Sequence, residues 1–226
     1  MAKKVSRKEL LKGPDEFMTL SERAAAFVQD HMKQLSAVGI ALGVACLVYL
    51  GTTWYLGYSD RRGQEAYNKA YYTLRKADAA EQALQDPTLP MSLFQEVTKD
   101  HGLAKVSELA LPQLARLKFQ EGQYDEAISL YRAYQSEIPS QSKYQDMARL
   151  ALGACYEAKK EYGPAIEEFQ TLAENKGSPL RQQALLSLIR LYRLNQNPEK
   201  ADEILKTFSE DYPGSPFLAF AESMLH

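Results

Sequence analysis

The residues that build reactive centres are scarce in this 226-residue chain: it has 2 cysteines, 3 histidines and 1 tryptophan. Cys46 falls in an apolar run and Cys155 on a later amphipathic segment, so no intrachain disulfide framework staples the fold, and that lack decides nothing about compartment. His31, His101 and His226 are far apart, and no pair has metal-ligand spacing. No Gly-rich phosphate loop, nucleophile elbow or paired-cysteine motif is present. Acidic doublets such as Glu167-Glu168 sit on amphipathic stretches and read as solvated faces, while Cys155 reads as an inert core thiol. The chain is therefore expected to be no enzyme, to hold no metal and to need no cofactor. With 27 basic and 29 acidic side chains the net charge is −2, so no basic field invites nucleic acid.

A second absence is local. From Gln34 to Ser59 no side chain is charged. The apolar part, Leu35 to Tyr58, would reach roughly 36 Å as a helix, enough to cross a ~30 Å hydrocarbon core with some tilt. Trp54, Tyr55 and Tyr58 cluster at its end, where amphipathic rings favour the headgroup layer. The arm before it is longer than a signal-peptide n-region, and the run exceeds an h-region, so an uncleaved signal-anchor is expected. Cys46 is followed by more apolar sequence, which does not suit a lipidated mature N-terminus. The arm carries seven Lys/Arg against five acids and the remainder 20 against 24, a bias that puts the N-terminus inside, although Arg61 and Arg62 directly after the run count the other way. Within the run, Gly39 and Gly43 form a GxxxG, a surface on which a second transmembrane helix could pack closely, in a homo- or hetero-oligomer.

Outside that run the periodicity is helical throughout. Thr19-Leu-Ser-Glu22 reads as a capping box opening a short amphipathic helix in the arm. Arg61 to Leu84 lacks proline and carries an Ala66, Ala70, Leu74, Ala77 stripe flanked by Tyr67 and Tyr71, so the helix is expected to continue out of the membrane. Asp86-Pro-Thr-Leu-Pro90 then breaks the chain. Ser92-Leu-Phe-Gln95 gives a weaker capping signature for a helix to about Lys99.

From Glu108 the chain repeats itself. Leu114-Ala115, Leu152-Gly153 and Leu188-Ile189 are each followed twelve residues on by an alanine: Ala127, Ala165, Ala201. Four further comes a bulky residue: Tyr131, Phe169, Leu205. Two antiparallel helices approach closely only where a small residue sits at the crossing, and the large residue fills the space beside it. Pro139 and Pro213 close two copies, and Pro179 is displaced in the middle one. The pattern resembles the tetratricopeptide repeat, a helix-turn-helix unit with a period near 34. The middle copy, with Leu152, Gly153, Tyr156, Ala165 and Phe169, carries it most closely. Pro213-Gly-Ser-Pro216 is expected to start a capping helix, Phe217 to Leu225.

The expected fold is all-α: a single N-terminal transmembrane helix, a helical stalk and a three-repeat tetratricopeptide-like α-solenoid with a C-terminal capping helix. The expected divisions are a charged arm over 1–34, the transmembrane helix over 35–58, stalk and linker over 59–105, and the repeat domain over 106–226. In such solenoids the first helices line a concave groove, and repeat position assigns Gln113, Arg116, Leu150, Ala154, Leu186 and Arg190 to it. The Lys/Asn clamp that one version of the fold uses for a peptide carboxylate is missing. A groove of leucines and two arginines suits an extended or helical segment.

A charged arm, one span, a stalk and a degenerate repeat array together resemble the YfgM-like family of ancillary SecYEG translocon subunits of bacteria. The resemblance implies a single-pass inner-membrane protein with its N-terminus cytoplasmic and its C-terminal domain periplasmic. It implies contact with the Sec translocon, periplasmic chaperones and emerging polypeptides, in a non-catalytic adaptor role. The alternative is a structural scaffold for envelope assembly or cell division, similar in style to the CpoB and BamD tetratricopeptide proteins.

Overall fold

The computed structural model describes residues 16–79, 87–139 and 142–224, and every regular element among them is an α-helix. The chain forms two compact units, one up to Leu56 and one from Gly57 onward.

The first unit holds α1 (Glu16–Asp30) and the beginning of α2 (Met32–Ala79). Helix α1 is already formed at Glu16, so Thr19 and Glu22 lie inside it and do not open it as a capping box. The apolar part of α2 has no protein packed around it: Ile40, Leu47 and Trp54 are 68%, 71% and 73% exposed. Its hydroxyls turn inward to the helix's own carbonyls. Thr52 Oγ1 and Thr53 Oγ1 each donate to the Tyr49 carbonyl at 2.9 Å, satisfying their own hydrogen bonds within the helix.

In the second unit the apolar stripe of α2 finds its partners at once. Ala70 and Leu74 are buried with Phe94 and Val97 of α3 (Thr88–Asp100) and with Ala110, Leu114 and Leu117 of α4 (Ser107–Gln120). The described part of the segment read as stalk and linker thus packs on the first repeat helix. Ser92 lies within α3, where its hydroxyl donates to the Leu89 carbonyl, and caps nothing. Positions 80–86, including Leu84 and Asp86, lie outside the described residues.

Three helix pairs follow: α4 with α5 (Tyr124–Glu137), α6 (Lys143–Ala158) with α7 (Tyr162–Glu174), and α8 (Arg181–Leu194) with α9 (Pro198–Asp211). Each helix packs on the next, and α10 (Leu218–Ser223) packs on α9. Leu225, the expected end of that last helix, lies outside the described residues.

The turn inside each pair is the same. Gly122, Lys160 and Gln196 have φ of +74°, +62° and +58°. The following amides, Gln123, Glu161 and Asn197, donate five residues back to Lys118, Tyr156 and Tyr192 at 2.8–2.9 Å. That is a left-handed C-terminal cap closed by its 6→1 bond, and it reverses the chain so that the second helix lies antiparallel on the first. Only the first copy uses glycine, the residue for which this conformation is free of strain. Asn197 then caps α9 through its side chain on the Lys200 amide, with Pro198 in the first helical position.

Small residues set the crossings. Ala115, Ala127, Ala165 and Ala201 are fully buried, and a Cβ placed on Gly153 would lie 2.6 Å from the Phe169 ring. In the third pair the expected filler Leu205 packs half-buried against the core, while Phe208, three residues on, is fully buried. Glu168 departs from its reading as a solvated face. It is 5% exposed, with Arg132 Nη2 at 2.6 Å and Arg149 Nη1 at 3.1 Å from its oxygens. A carboxylate this buried is tolerated because two guanidiniums, one from α5 and one from α6, meet it on α7. Arg181 makes the corresponding link in the last pairs, donating to the Ala173 carbonyl at 2.7 Å and pairing with Asp211 at 2.6 Å.

Gly153→Ala is expected to lower stability by about 1–3 kcal/mol, the usual cost of overpacking a close-packed joint. Gly163→Ala, where an added Cβ meets nothing within 4 Å, is the control and should be neutral or slightly stabilising. Urea unfolding of the full chain in detergent, followed by far-ultraviolet circular dichroism, measures both.

Candidate functional site

An apolar groove of the second unit lies between α4 and α6. Helical spacing puts Leu109, Pro112, Gln113 and Arg116 on one face of α4, and Tyr144, Met147, Ala148 and Ala151 on the facing side of α6. Tyr131 and Tyr134 of α5 form the floor and Tyr67 of α2 one end, around a cavity of about 310 Å³. Leu109, Tyr144 and Met147 are roughly half exposed, so the walls offer apolar and aromatic surface to an incoming group.

Its polar groups are few. The Arg116 guanidinium stands 3.6 Å from the Asp78 carboxylate. Burial pushes the Tyr131 hydroxyl up to about 12, helped by the neighbouring Cys155 and opposed by Arg116. Burial also raises Tyr67 and Tyr134. All three phenols therefore stay protonated at neutral pH and present O–H donors over an apolar floor. Such a groove can hold an aliphatic or aromatic stretch of polypeptide while donating to its carbonyls.

The six residues assigned from repeat position have different surroundings. Gln113 and Arg116 line this cavity. Leu150 and Leu186 pack against the core of the second and third pairs. Ala154 is half-buried on α6. Arg190 is held by Glu157 through two hydrogen bonds, Nε at 2.8 Å and Nη2 at 2.7 Å, which engage its fork within the chain. The tyrosines that shape the groove read in the sequence as packing only. The signal that could have found them was the joint spacing of Leu109, Pro112, Gln113 and Arg116 against Tyr144, Met147 and Ala151. In the first unit, an added Cβ at Gly39 or Gly43 would meet nothing within 4 Å.

No group of three or more His, Cys, Asp or Glu side chains able to hold a metal occurs among the described residues. Cys155 lies fully buried, and burial pushes its thiol up to about 11.

A model of the tetratricopeptide repeat matches residues 183–215, which span α8, α9 and the turn after them. The match falls on the third copy and not on the middle one that carried the motif most closely by eye. The third copy keeps its closing Pro213 in place, whereas the middle copy's Pro179 is displaced by extra residues. Among solved structures, a tetratricopeptide repeat protein from Parabacteroides merdae is similar over 73% of this chain and 59% of its own length, at 18% identity and a TM-score of 0.59. A predicted kinesin light chain of Podosopora anserina with nearly identical TPR-like repeats is similar over 70% of this chain and 82% of its own, at 18% identity and a TM-score of 0.58. A comparison with curated proteins finds no match.

The second unit is thus a tetratricopeptide-like α-solenoid, a fold whose repeats serve protein–protein interaction and are typically non-catalytic. Within that class, this chain also carries one long apolar helix near its N-terminus, of a length and composition able to cross a membrane.

In the folded chain carrying Cys46→Ser, alkylation of Cys155 at pH 8 is expected to be slower than in urea by ~10²-fold or more, from the loss of thiolate alone. A comparable rate in both conditions, read by mass spectrometry, would contradict its burial. The raised thiol also sets a sign. Its contribution to stability is whole below the unfolded pKa of about 8.5 and is lost as the pH climbs toward 11.

Proposed function

We propose that this chain is a membrane-anchored, non-catalytic adaptor that binds other proteins through the groove between α4 and α6. The observation that carries the reading is α2 itself, a helix apolar and unpacked in its first part and built into the repeat core in its second. A tether and a binding scaffold in one helix fit a protein whose work is to hold partners at a membrane.

The layout of arm, span and repeats supports a finer reading: an ancillary subunit of the bacterial Sec translocon. In it the N-terminus is cytoplasmic, the repeats are periplasmic, and the groove receives periplasmic chaperones or emerging polypeptides. Gln113 and Arg116 are the contact residues on α4. The Gly39/Gly43 face of α2 is the surface on which a translocon helix packs. The aromatic walls of the groove favour an apolar segment over an acidic or nucleic partner.

Photocrosslinking from position 113 in intact membranes tests the reading. Adducts with translocon subunits or periplasmic chaperones are expected, and they should be lost when Tyr134 and Met147 are replaced by aspartate. Adducts confined to envelope-assembly or division proteins, with no translocon component, would overturn the finer reading in favour of a scaffold.

A further inference from the structure

The loop between α3 and α4 is fastened to the start of the second unit's own part of α2. The Lys105 amide donates to Asp60 Oδ1 at 3.0 Å, and its Nζ stands 4.0 Å from Oδ2. Gly63 is buried against the same loop, because a Cβ there would collide with the Ala104 Cβ. Ala104 and Val106 are buried, yet Leu103 between His101 and Lys105 is 65% exposed. An apolar side chain is thus held outward on a loop fixed at both of its neighbours.

The height of that loop along α2 follows from helix geometry. Asp60 and Gly63 are two and five residues beyond Tyr58, so about 3 and 7.5 Å further along the axis at ~1.5 Å per residue. The polar headgroup layer on one side of a bilayer is roughly 5–7 Å deep, half the difference between ~30 Å of hydrocarbon and ~40–45 Å overall. If the apolar run of α2 spans the bilayer up to Tyr58, whatever is fastened at Asp60 and Gly63 lies in the headgroup layer. Arg62 supports that level, since it reaches back to the Tyr58 hydroxyl at 3.1 Å and lies over its ring.

We propose that the loop 101–106 is a second membrane contact, with Leu103 inserted among lipid headgroups and Lys105 and Arg61 facing lipid phosphates. This rests on the reading of α2 as a membrane span. Its occupant is the lipid surface and not a protein. The basic groups Arg61, Lys99 and Lys105 suit an anionic headgroup layer, and the loop's level is continuous with the aromatic end of the span. The carboxylates Glu108 and Glu137 line the cavity beside the loop, Asp60 pairs with Lys105, and Asp100 adjoins Lys99 in sequence, so Arg61 and the Lys105 ammonium are the groups offered to phosphate.

The test uses the full chain reconstituted in phosphatidylcholine–phosphatidylglycerol vesicles. Trp54, the only native tryptophan, reports the span through quenching by nitroxides on the acyl chains. Trp54→Phe combined with Leu103→Trp reports the loop, and Trp54→Phe with Leu194→Trp, at the α8–α9 turn, is the control. Quenching of position 103 by headgroup-attached nitroxide is expected to exceed that of position 194 several-fold. Equal quenching at 103 and 194 with Trp54 still quenched would overturn the loop contact alone. Loss of Trp54 quenching would instead overturn the span. Should Leu103→Trp disturb the loop, a bimane label on Lys105→Cys in a Cys46→Ser background gives the same reading, its emission shifting to the blue in vesicles only if the loop meets lipid.

Discussion

The approach of α6 and α7 at Gly153 is the contact on which the rest of the repeat unit depends. With no Cβ on Gly153, the Phe169 ring closes directly on the helix backbone, and the two axes come near enough for Leu152, Leu172 and the fully buried Cys155 to exclude water around them. Ala165 lies on the facing helix of the same pair, and alanines do the same for the flanking pairs at 115, 127 and 201. Close crossing makes each pair a flat brick, and flat bricks stack. The stack is keyed by polar side chains that cross between helices: Glu168 gathers Arg132 and Arg149, and Gln145 Nε2 donates to the Gln135 and Ile138 carbonyls at the end of α5. These links do more for register than for net stability, since a buried ion pair roughly offsets its own desolvation. The groove between α4 and α6 is the space that this stacking leaves open.

Helix α2 joins two physical regimes in one element. Up to Leu56 its side chains are apolar and unpacked; beyond Gly57 its alanine and leucine stripe enters the core beside Phe94. The same helix therefore supplies both the proposed anchor and the first layer of the repeat unit.

Much of the fold was legible in the sequence, because the two signals that carry it are local. An uncharged apolar run and a small residue answered by an alanine twelve positions later need no knowledge of distant contacts. The helix pairs fall where those signals put them. What failed to show is long-range or depends on backbone conformation. Glu168 looks like any exposed acid until Arg132 and Arg149 arrive from other helices. Phe208, seven residues after Ala201, is buried as Tyr134 and Leu172 are seven after Ala127 and Ala165, a further core position in each copy beyond the small and bulky pair. Lys160 and Gln196 adopt the left-handed turn without the glycine that marks it at Gly122. Of the groove, Gln113 and Arg116 were legible, while its tyrosines gave no sign that distinguished a wall from packing.

The account turns on α2 being one helix, lipid-protected first and core-packed after. Hydrogen exchange of the full chain in lipid nanodiscs measures this along its length. The account predicts slow exchange across 35–58, from the bilayer, and equally slow exchange at Ala70 and Leu74, from the repeat core. Detergent removal should expose the first segment and leave the second protected. Rapid exchange at 60–78, with protection beginning only at α4, would show a loose stalk and contradict it.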